Sequence, residues 1–219
     1  MVALKTSPGE MIGLSAGYFV GGIATTVICL GAGMSGWVVV LAAAVMYSAS
    51  STLAVVGLLA SGASTASGLI AGLLVSSRFG VLAVALSPRL ERSRPRRALA
   101  AFWSIDPGVA VAMREPDAAR TRQAWWRIAP LLYAAWMVGT VVGLPLHSSI
   151  PNPKTWGLDA VLPGTLVPIL AAAFRRRDGF LTAVTAALVC ALAIPRTAAG
   201  VPVLLALFGV LVGLAFRRR

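Results

Sequence analysis

A chain of 219 residues that is 58% hydrophobic and only 12% charged, with a mean hydropathy of +0.85, is not a soluble domain, since those carry roughly 25% charged residues. The formal charge of +12 points to nucleic acid only where basic residues line one polar face. Here the arginines stand in short runs between apolar segments, where the positive-inside rule accounts for them.

The N-terminus "MVALKTSPGE" is polar and the first apolar run is span-length, so no removable signal is expected. About 20 apolar residues cross a bilayer, and seven segments qualify, at about 11–32, 35–60, 63–86, 128–147, 157–174, 179–194 and 199–216. The fold expected is all-α: a single domain over 1–219, a polytopic membrane helix bundle of about seven transmembrane helices plus one re-entrant or interfacial segment. Cys29 in the first span and Cys190 in the sixth lack metal-ligand spacing and read as packing residues.

Span two carries "MYSASSTLAVVG", with Ser48, Ser50, Ser51 and Thr52 clustered near its centre. Such hydroxyls either bond a carbonyl one turn back and glue helices together, or line a polar cavity or a local helix break. Span three reads "GLLVSSRFGVLAVALSPRL" over 72–90, with Ser76, Ser77 and Arg78 in its middle. A charge at that depth costs between about 2.5 and 17 kcal/mol depending on how water and lipid relax. Arg78 either snorkels to the surface or faces the bundle interior and pairs with a carboxylate, of the protein or of a ligand, through its planar fork.

Arg89, Arg92, Arg94, Arg96 and Arg97 follow span three, Arg175 to Arg177 follow span five, and Arg217 to Arg219 end the chain. These clusters should be cytoplasmic, as should the basic loops 87–98 and 114–127. "HSSIPNPKTWG", poor in basic residues, should lie outside. Seven spans ending inside then place the N-terminus outside and the C-terminus in the cytoplasm, in a multi-pass protein of the cell (inner) membrane.

Residues 99–113, "LAAFWSIDPGVAVAM", are too short for a span and are interrupted by Asp106-Pro107-Gly108. They read either as a re-entrant hairpin, which would make Asp106 a cavity residue, or as an amphipathic helix on the cytoplasmic face. Asp159, at the outer start of span five, is either a cap-like acid at a helix N-terminus or a gating or coupling group. Pro145, Pro163 and Pro168 suggest kinks in spans four and five.

No catalytic constellation is visible. The single histidine, His147, has no metal-ligand spacing, and "GLSAG" at 13–17 matches a nucleophile elbow only loosely within a span, so neither an enzyme nor a cofactor or metal site is expected. An inverted-topology repeat is geometrically possible, but no sequence echo between the halves is convincing.

In order, "GYFVGGIATT", "MYSASSTLAVVGLLASGAS", "LLVSSRFGVLAVALSPRL", "AFWSIDPGVAVA", "YAAWMVGTVVGLPL" and "WGLDAVLPGTLVPIL" resemble the AzlC family, the large subunits of two-component exporters of branched-chain amino acids, over about residues 10–216. Arg78, Asp106, Trp136, Gly139, Thr140, Gly157, Leu158 and Asp159 match the family. Thr52, Ser76, Phe79 and Pro107 depart from it, standing where members usually carry glutamine, asparagine, histidine and glutamate. The resemblance implies proton-coupled export of small apolar amino acids with a small hydrophobic membrane subunit of the AzlD type, in the lipid bilayer and without nucleic acid. It brings Trp136 and Thr140 into the substrate site and Asp106 and Asp159 into coupling or gating. A zwitterionic substrate needs a cation for its carboxylate, polar groups for its ammonium and an apolar pocket for its side chain. On that reading Arg78 meets the carboxylate and Asp106 the ammonium, with Ser50, Ser51, Thr52 and Ser76 adding hydroxyls. The alternatives are a passive channel and a structural membrane subunit with a different or no small-molecule ligand.

Overall fold

The computed structural model describes residues 7–60, 62–90, 93–149, 171, 174–175, 177–197 and 205–217. The helices are α1 (Pro8–Gly31), α2 (Gly36–Met46), α3 (Ala49–Ala60), α4 (Thr65–Leu86), α5 (Arg94–Phe102), α6 (Asp106–Ala112), α7 (Ala118–Leu146), α8 (Arg177–Ala193) and α9 (Leu207–Arg217). No strand occurs among the described residues. Side-chain caps start the long helices: the Ser7, Ser64 and Asp117 oxygens accept from the amides of Glu10, Ser67 and Arg120.

Among the described residues, three helices are long and apolar enough to cross a membrane: α1, α4 with the 3₁₀ turn that follows it to Arg89, and α7 with its 3₁₀ turn to Ser149. α1 and α7 run parallel along a seam that glycines keep close. A Cβ on Gly22 would lie 2.5 Å from the Trp136 carbonyl oxygen, one on Gly143 would lie 2.8 Å from Thr26 Cβ, and one on Gly139 would run into the Phe19 carbonyl. Further along the same direction, Gly31 faces His147. At the opposite end of the seam, Arg114 forms an ion pair with Glu10.

α4 runs the other way, ending where α7 begins. Arg89 at its foot donates to the Glu115 carbonyl (3.1 Å) and to Thr121 Oγ1 (3.5 Å). Leu86, Leu90, Ala100, Val109, Ala112, Trp125 and Ala129 form the core at this end, the basic end of the molecule.

Between these three helices sit two hairpins. α2 descends along α7 from Gly36, beside Leu144, to Ala43, whose carbonyl accepts from Trp136. The chain reverses at Tyr47-Ser48, and α3 climbs back along α4, with Val55 beside Gly72 and Leu59 beside Gly68. Val39 and Val56, one on each leg, share a core with Cys29 of α1. The segment 35–60 is therefore not a crossing span as the sequence suggests. Its two apolar legs, of 11 and 12 residues, rise only about 17 Å each, and both open at the same end. The consequence is a reversal: α1 starts at the basic end, together with α7.

Residues 99–113 form most of the second hairpin, which enters from the basic end. α5 packs on the foot of α4, the chain turns at Trp103-Ser104-Ile105, and α6 returns. Of the two expectations for this segment, the hairpin describes it. α8 and α9 pair antiparallel, with Gly209 and Gly213 set against Thr182 and Ala186. They correspond to the sixth predicted span and much of the seventh. The span predicted at 157–174, with Asp159, Gly157, Leu158, Pro163 and Pro168, lies almost wholly outside the described residues.

The glycine seam generates a prediction. Gly139→Ala forces a methyl onto the Phe19 backbone, which cannot yield as a side chain can, so a destabilisation toward or above the upper end of the usual overpacking range of about 1–3 kcal/mol is expected. Gly80→Ala in α4 meets open space and should stabilise by up to about 1 kcal/mol through helix propensity. Thermal unfolding of the two variants in detergent checks both signs.

Candidate functional site

The first hairpin turns without glycine or proline. Tyr47 takes the left-handed conformation, φ 44° and ψ 41°, which costs a residue with a Cβ roughly 1–2 kcal/mol. The surrounding structure holds it there. Its ring is 2% exposed and stands edge-on to Tyr133 at 4.9 Å between centroids. Two donors from α7 reach the end of α2: the Tyr133 hydroxyl bonds the Ala44 oxygen at 3.0 Å, and Trp136 Nε1 shares the Ala43 oxygen, at 3.2 Å, with the Tyr47 amide. α7 thus completes the broken helix end that water would satisfy at a surface.

Past the turn, hydroxyls replace backbone partners. Ser48 Oγ accepts from the Ser51 amide (3.2 Å), donates to Ser51 Oγ (2.9 Å) and lies 3.2 Å from Ser50 Oγ. Ser76 of α4 donates to Ser51 Oγ at 2.8 Å. Thr52 turns its hydroxyl back to the Ser48 carbonyl at 2.9 Å.

At the second turn, Ser104 Oγ donates to the Ala100 carbonyl at 2.8 Å, and Asp106 opens α6 with Pro107 beside it. Proline is tolerated in a first turn because the amide it lacks has no helical partner there.

Arg78 lies between the two turns. Its Nη2 donates to Ser50 Oγ at 2.9 Å and stands 3.4 Å from Asp106 Oδ2, and its guanidinium carbon is 4.8 Å from the Phe79 ring centroid. The Arg78 side chain is 45% exposed and that of Asp106 33%, so the pair is not sealed in the core. Tyr18 of α1 lies within electrostatic reach of both charges, and the rings of Tyr18, Tyr47, Phe102, Tyr133 and Trp136 form an aromatic wall beside them.

The residues singled out from the sequence divide accordingly. Arg78, Ser50, Ser51, Ser76 and Asp106 come together at the two turns. Thr52 is buried and bonded within its own hairpin. Trp136 supports the turn through Ala43. Thr140 is buried in the α1–α7 seam beside Gly22, one helical turn further along α7 than Trp136. Asp159 lies outside the described residues. Tyr18, Tyr47, Phe102 and Tyr133 were not foreseen, although an aromatic residue followed by serine, Tyr47-Ser48 and Trp103-Ser104, marks both turns. Among the described residues no group of three or more His, Cys, Asp or Glu side chains is placed to hold a metal ion.

A family model described as AzlC protein matches residues 13–150, more than half of the chain. That stretch holds nearly all of α1 and both hairpins, α4 and α7 in full. No curated protein and no solved structure matches the chain.

The two α7 donors should act as one support. Tyr133→Phe leaves the Ala44 carbonyl without its side-chain donor, a loss of about 1–3 kcal/mol, whereas Trp136→Phe, after which the Ala43 oxygen keeps the Tyr47 amide, should cost about 1 kcal/mol. Because both hold the same helix end, the double variant should fall short of the sum by at least about 0.5 kcal/mol. A double-mutant cycle in denaturant measures the coupling, and strict additivity would refute it.

Proposed function

Since the chain belongs to the AzlC family, a transporter family associated with branched-chain amino acid transport, we propose that it exports small apolar amino acids such as valine, leucine, isoleucine or methionine. Export is driven by the proton gradient, and the chain is the large subunit beside a small hydrophobic partner of the AzlD type, with which the family generally works.

The observation that supports this most is the half-exposed Arg78–Asp106 pair held between the two turns. A zwitterion carries one charge of each sign. Arg78 receives the carboxylate on its fork of donors, Asp106 faces the ammonium, and the hydroxyls of Ser50 and Ser76 fill the remaining polar contacts, with the fully buried Ser51 accepting from Ser76 behind them. Tyr18, Phe79 and Tyr133 offer the apolar surface for the side chain, backed by the buried Trp136. Thr52 and Thr140 shape this site through the helices they sit in. Asp106 couples transport to protons because its protonated form no longer attracts an ammonium. Asp159 remains a second coupling or gating acid.

The basic end is the cytoplasmic one, since Arg89, Arg94, Arg96, Arg97, Arg114, Arg120, Arg122 and Arg127 all lie at or near it. With 35–60 a hairpin, six predicted spans cross the inner membrane, and both termini are then cytoplasmic. The N-terminus expected outside moves inside for this reason alone.

Liposomes carrying the protein with its partner subunit test the reading. Proton-gradient-driven uptake of labelled leucine, valine or methionine should saturate and collapse with the gradient. Arg78→Gln should lower it roughly a hundredfold, the scale of losing charged hydrogen bonds worth about 3 kcal/mol, without loss of membrane insertion. Non-saturating flux indifferent to the gradient would make the chain a passive channel. No flux, with Arg78→Gln tolerated, would make it a structural subunit.

A further inference from the structure

We infer that the two hairpins are one gating motif used twice in opposite orientation, α2–α3 as the outer gate and α5–α6 as the inner gate, with Ser50 and Asp106 as matched positioning residues that hold Arg78 in turn. This rests on the transport reading and adds the moving parts.

The repeat is visible once the hairpins are known. "YSASSTLAVV" (47–56) and "WSIDPGVAVA" (103–112) align residue for residue: an aromatic then serine at the turn, with Ala-Val at the same place in the outgoing leg. In this alignment Ser50 corresponds to Asp106, and these are the two side chains on Arg78. Each stands 28 residues from it, one before and one after. The preceding helices echo more faintly, "GYFVGG" (17–22) in α1 against "GLLVSS" (72–77) in α4. Each unit is thus a membrane-crossing helix followed by a hairpin. α1 and α4 run in opposite directions and their hairpins enter from opposite ends, the arrangement of an inverted-topology repeat whose site lies between the halves.

The contacts at the tips suit exchange. Arg78 is close to Ser50, 2.9 Å, and farther from Asp106, 3.4 Å, whereas a charge-assisted pair settles at about 2.7–2.9 Å. The guanidinium is not drawn fully to either side. When the inner hairpin withdraws, Asp106 leaves and the fork keeps Ser50, a neutral partner, so it is open to a carboxylate arriving from the cytoplasm. When the outer hairpin withdraws, Ser50 leaves and Asp106 reclaims the fork, expelling the carboxylate outward. A serine on the outer tip and a carboxylate on the inner one give the cycle the direction of export, and the arginine is paired throughout.

The test uses the full chain with Cys29→Ala and Cys190→Ala, and Ser76→Cys as reporter at the site. A membrane-impermeant thiol reagent is applied to right-side-out and inside-out vesicles. Labelling from both faces is expected. Val55→Cys with Gly72→Cys then locks the outer hairpin to α4: a Cβ on Gly72 lies 2.7 Å from Val55 Cγ2, which puts the two Cβ atoms near the disulfide range of about 3.5–4.5 Å. Oxidation should cut outer-face labelling at least about tenfold, leave inner-face labelling within about twofold, and reverse with reductant.

Without any disulfide, Ser50→Ala should raise labelling from the outer face and Asp106→Asn from the inner face, each about threefold or more. Labelling from one face or neither, an outer face indifferent to the lock, or the two substitutions acting on the same face would each overturn the inference. Leucine counterflow by the protein without these substitutions, together with its partner subunit, reports separately on transport. Its absence would sink the amino acid reading, while sided labelling still decides the gates.

Discussion

A guanidinium more than halfway along a membrane-crossing helix must be given acceptors, and the architecture between α1 and α7 follows from how Arg78 gets them. An unbroken helix offers the bilayer interior only side chains, since its backbone is consumed in its own hydrogen bonds. Two hairpins that stop at the depth of Arg78 bring a serine hydroxyl and a carboxylate to the same guanidinium. Each turn leaves backbone groups that need partners at that depth. Hence the serines about Ser48, the Ser104 bond to Ala100, and the two side-chain donors that α7 spends on Ala43 and Ala44. The left-handed Tyr47 is the residual strain of this solution, and it stands where α7 packs most tightly around it.

The same logic separates a rigid part from a part able to move. α1 and α7 are locked by glycines whose replacement would drive methyl groups into backbone atoms. Close packing of this kind is hardly compressible and transmits strain, so the seam serves as a frame. The hairpins meet that frame differently. α2 leans on α7 through two hydrogen bonds and an aromatic edge. α3 meets α4 through Val55 and the Ser51–Ser76 bond, and Asp106 reaches α4 through one loose pair. Displacing a hairpin tip breaks a few polar contacts that water or a ligand can replace and shifts Tyr47 or Ile105 within the apolar core they share with α7. Shifting α1 against α7 would break a continuous packed surface.

How much of this could be read from the sequence depends on which physical signal each feature leaves. Polar residues inside apolar runs are conspicuous, so Arg78, Ser50, Ser51, Ser76 and Asp106 were legible one by one. Asp106-Pro107-Gly108 announced the second turn because proline and glycine punctuate helices. The first turn has no such mark. Two legs of 11 and 12 apolar residues joined by Tyr-Ser add up to the length of one crossing helix, and hydropathy carries no sign of direction. On the proposed topology, that single ambiguity reverses the side assigned to the N-terminus, since topology by charge counts crossings. Tyr47 was invisible for a related reason: its backbone conformation is imposed by Tyr133 and Trp136, far away in the chain. The echo between the hairpins, too weak to find by scanning halves, becomes legible only when the two turns are superimposed.

The departures from the family pattern acquire a place in this frame. Thr52 and Pro107, where members of the family usually carry a glutamine and a glutamate, both sit on hairpin legs within two residues of a side chain that contacts Arg78. Thr52 bonds its own backbone and Pro107 fills the first turn of α6, so neither adds a polar group to the site. Phe79, in place of a histidine, lies against the guanidinium and presents an aromatic face. What is left is one cation, one carboxylate and small hydroxyls beside a wall of rings. On the proposed transport reading, these groups pair the two charges of an amino acid backbone but leave few donors or acceptors with which to discriminate a polar side chain. Selection among ligands then falls to size and apolar surface, where one methylene is worth only about 1–3 kcal/mol. Under the proposed function, a site of that kind accepts a range of small apolar amino acids, and its fidelity resides in the charges rather than in side-chain recognition.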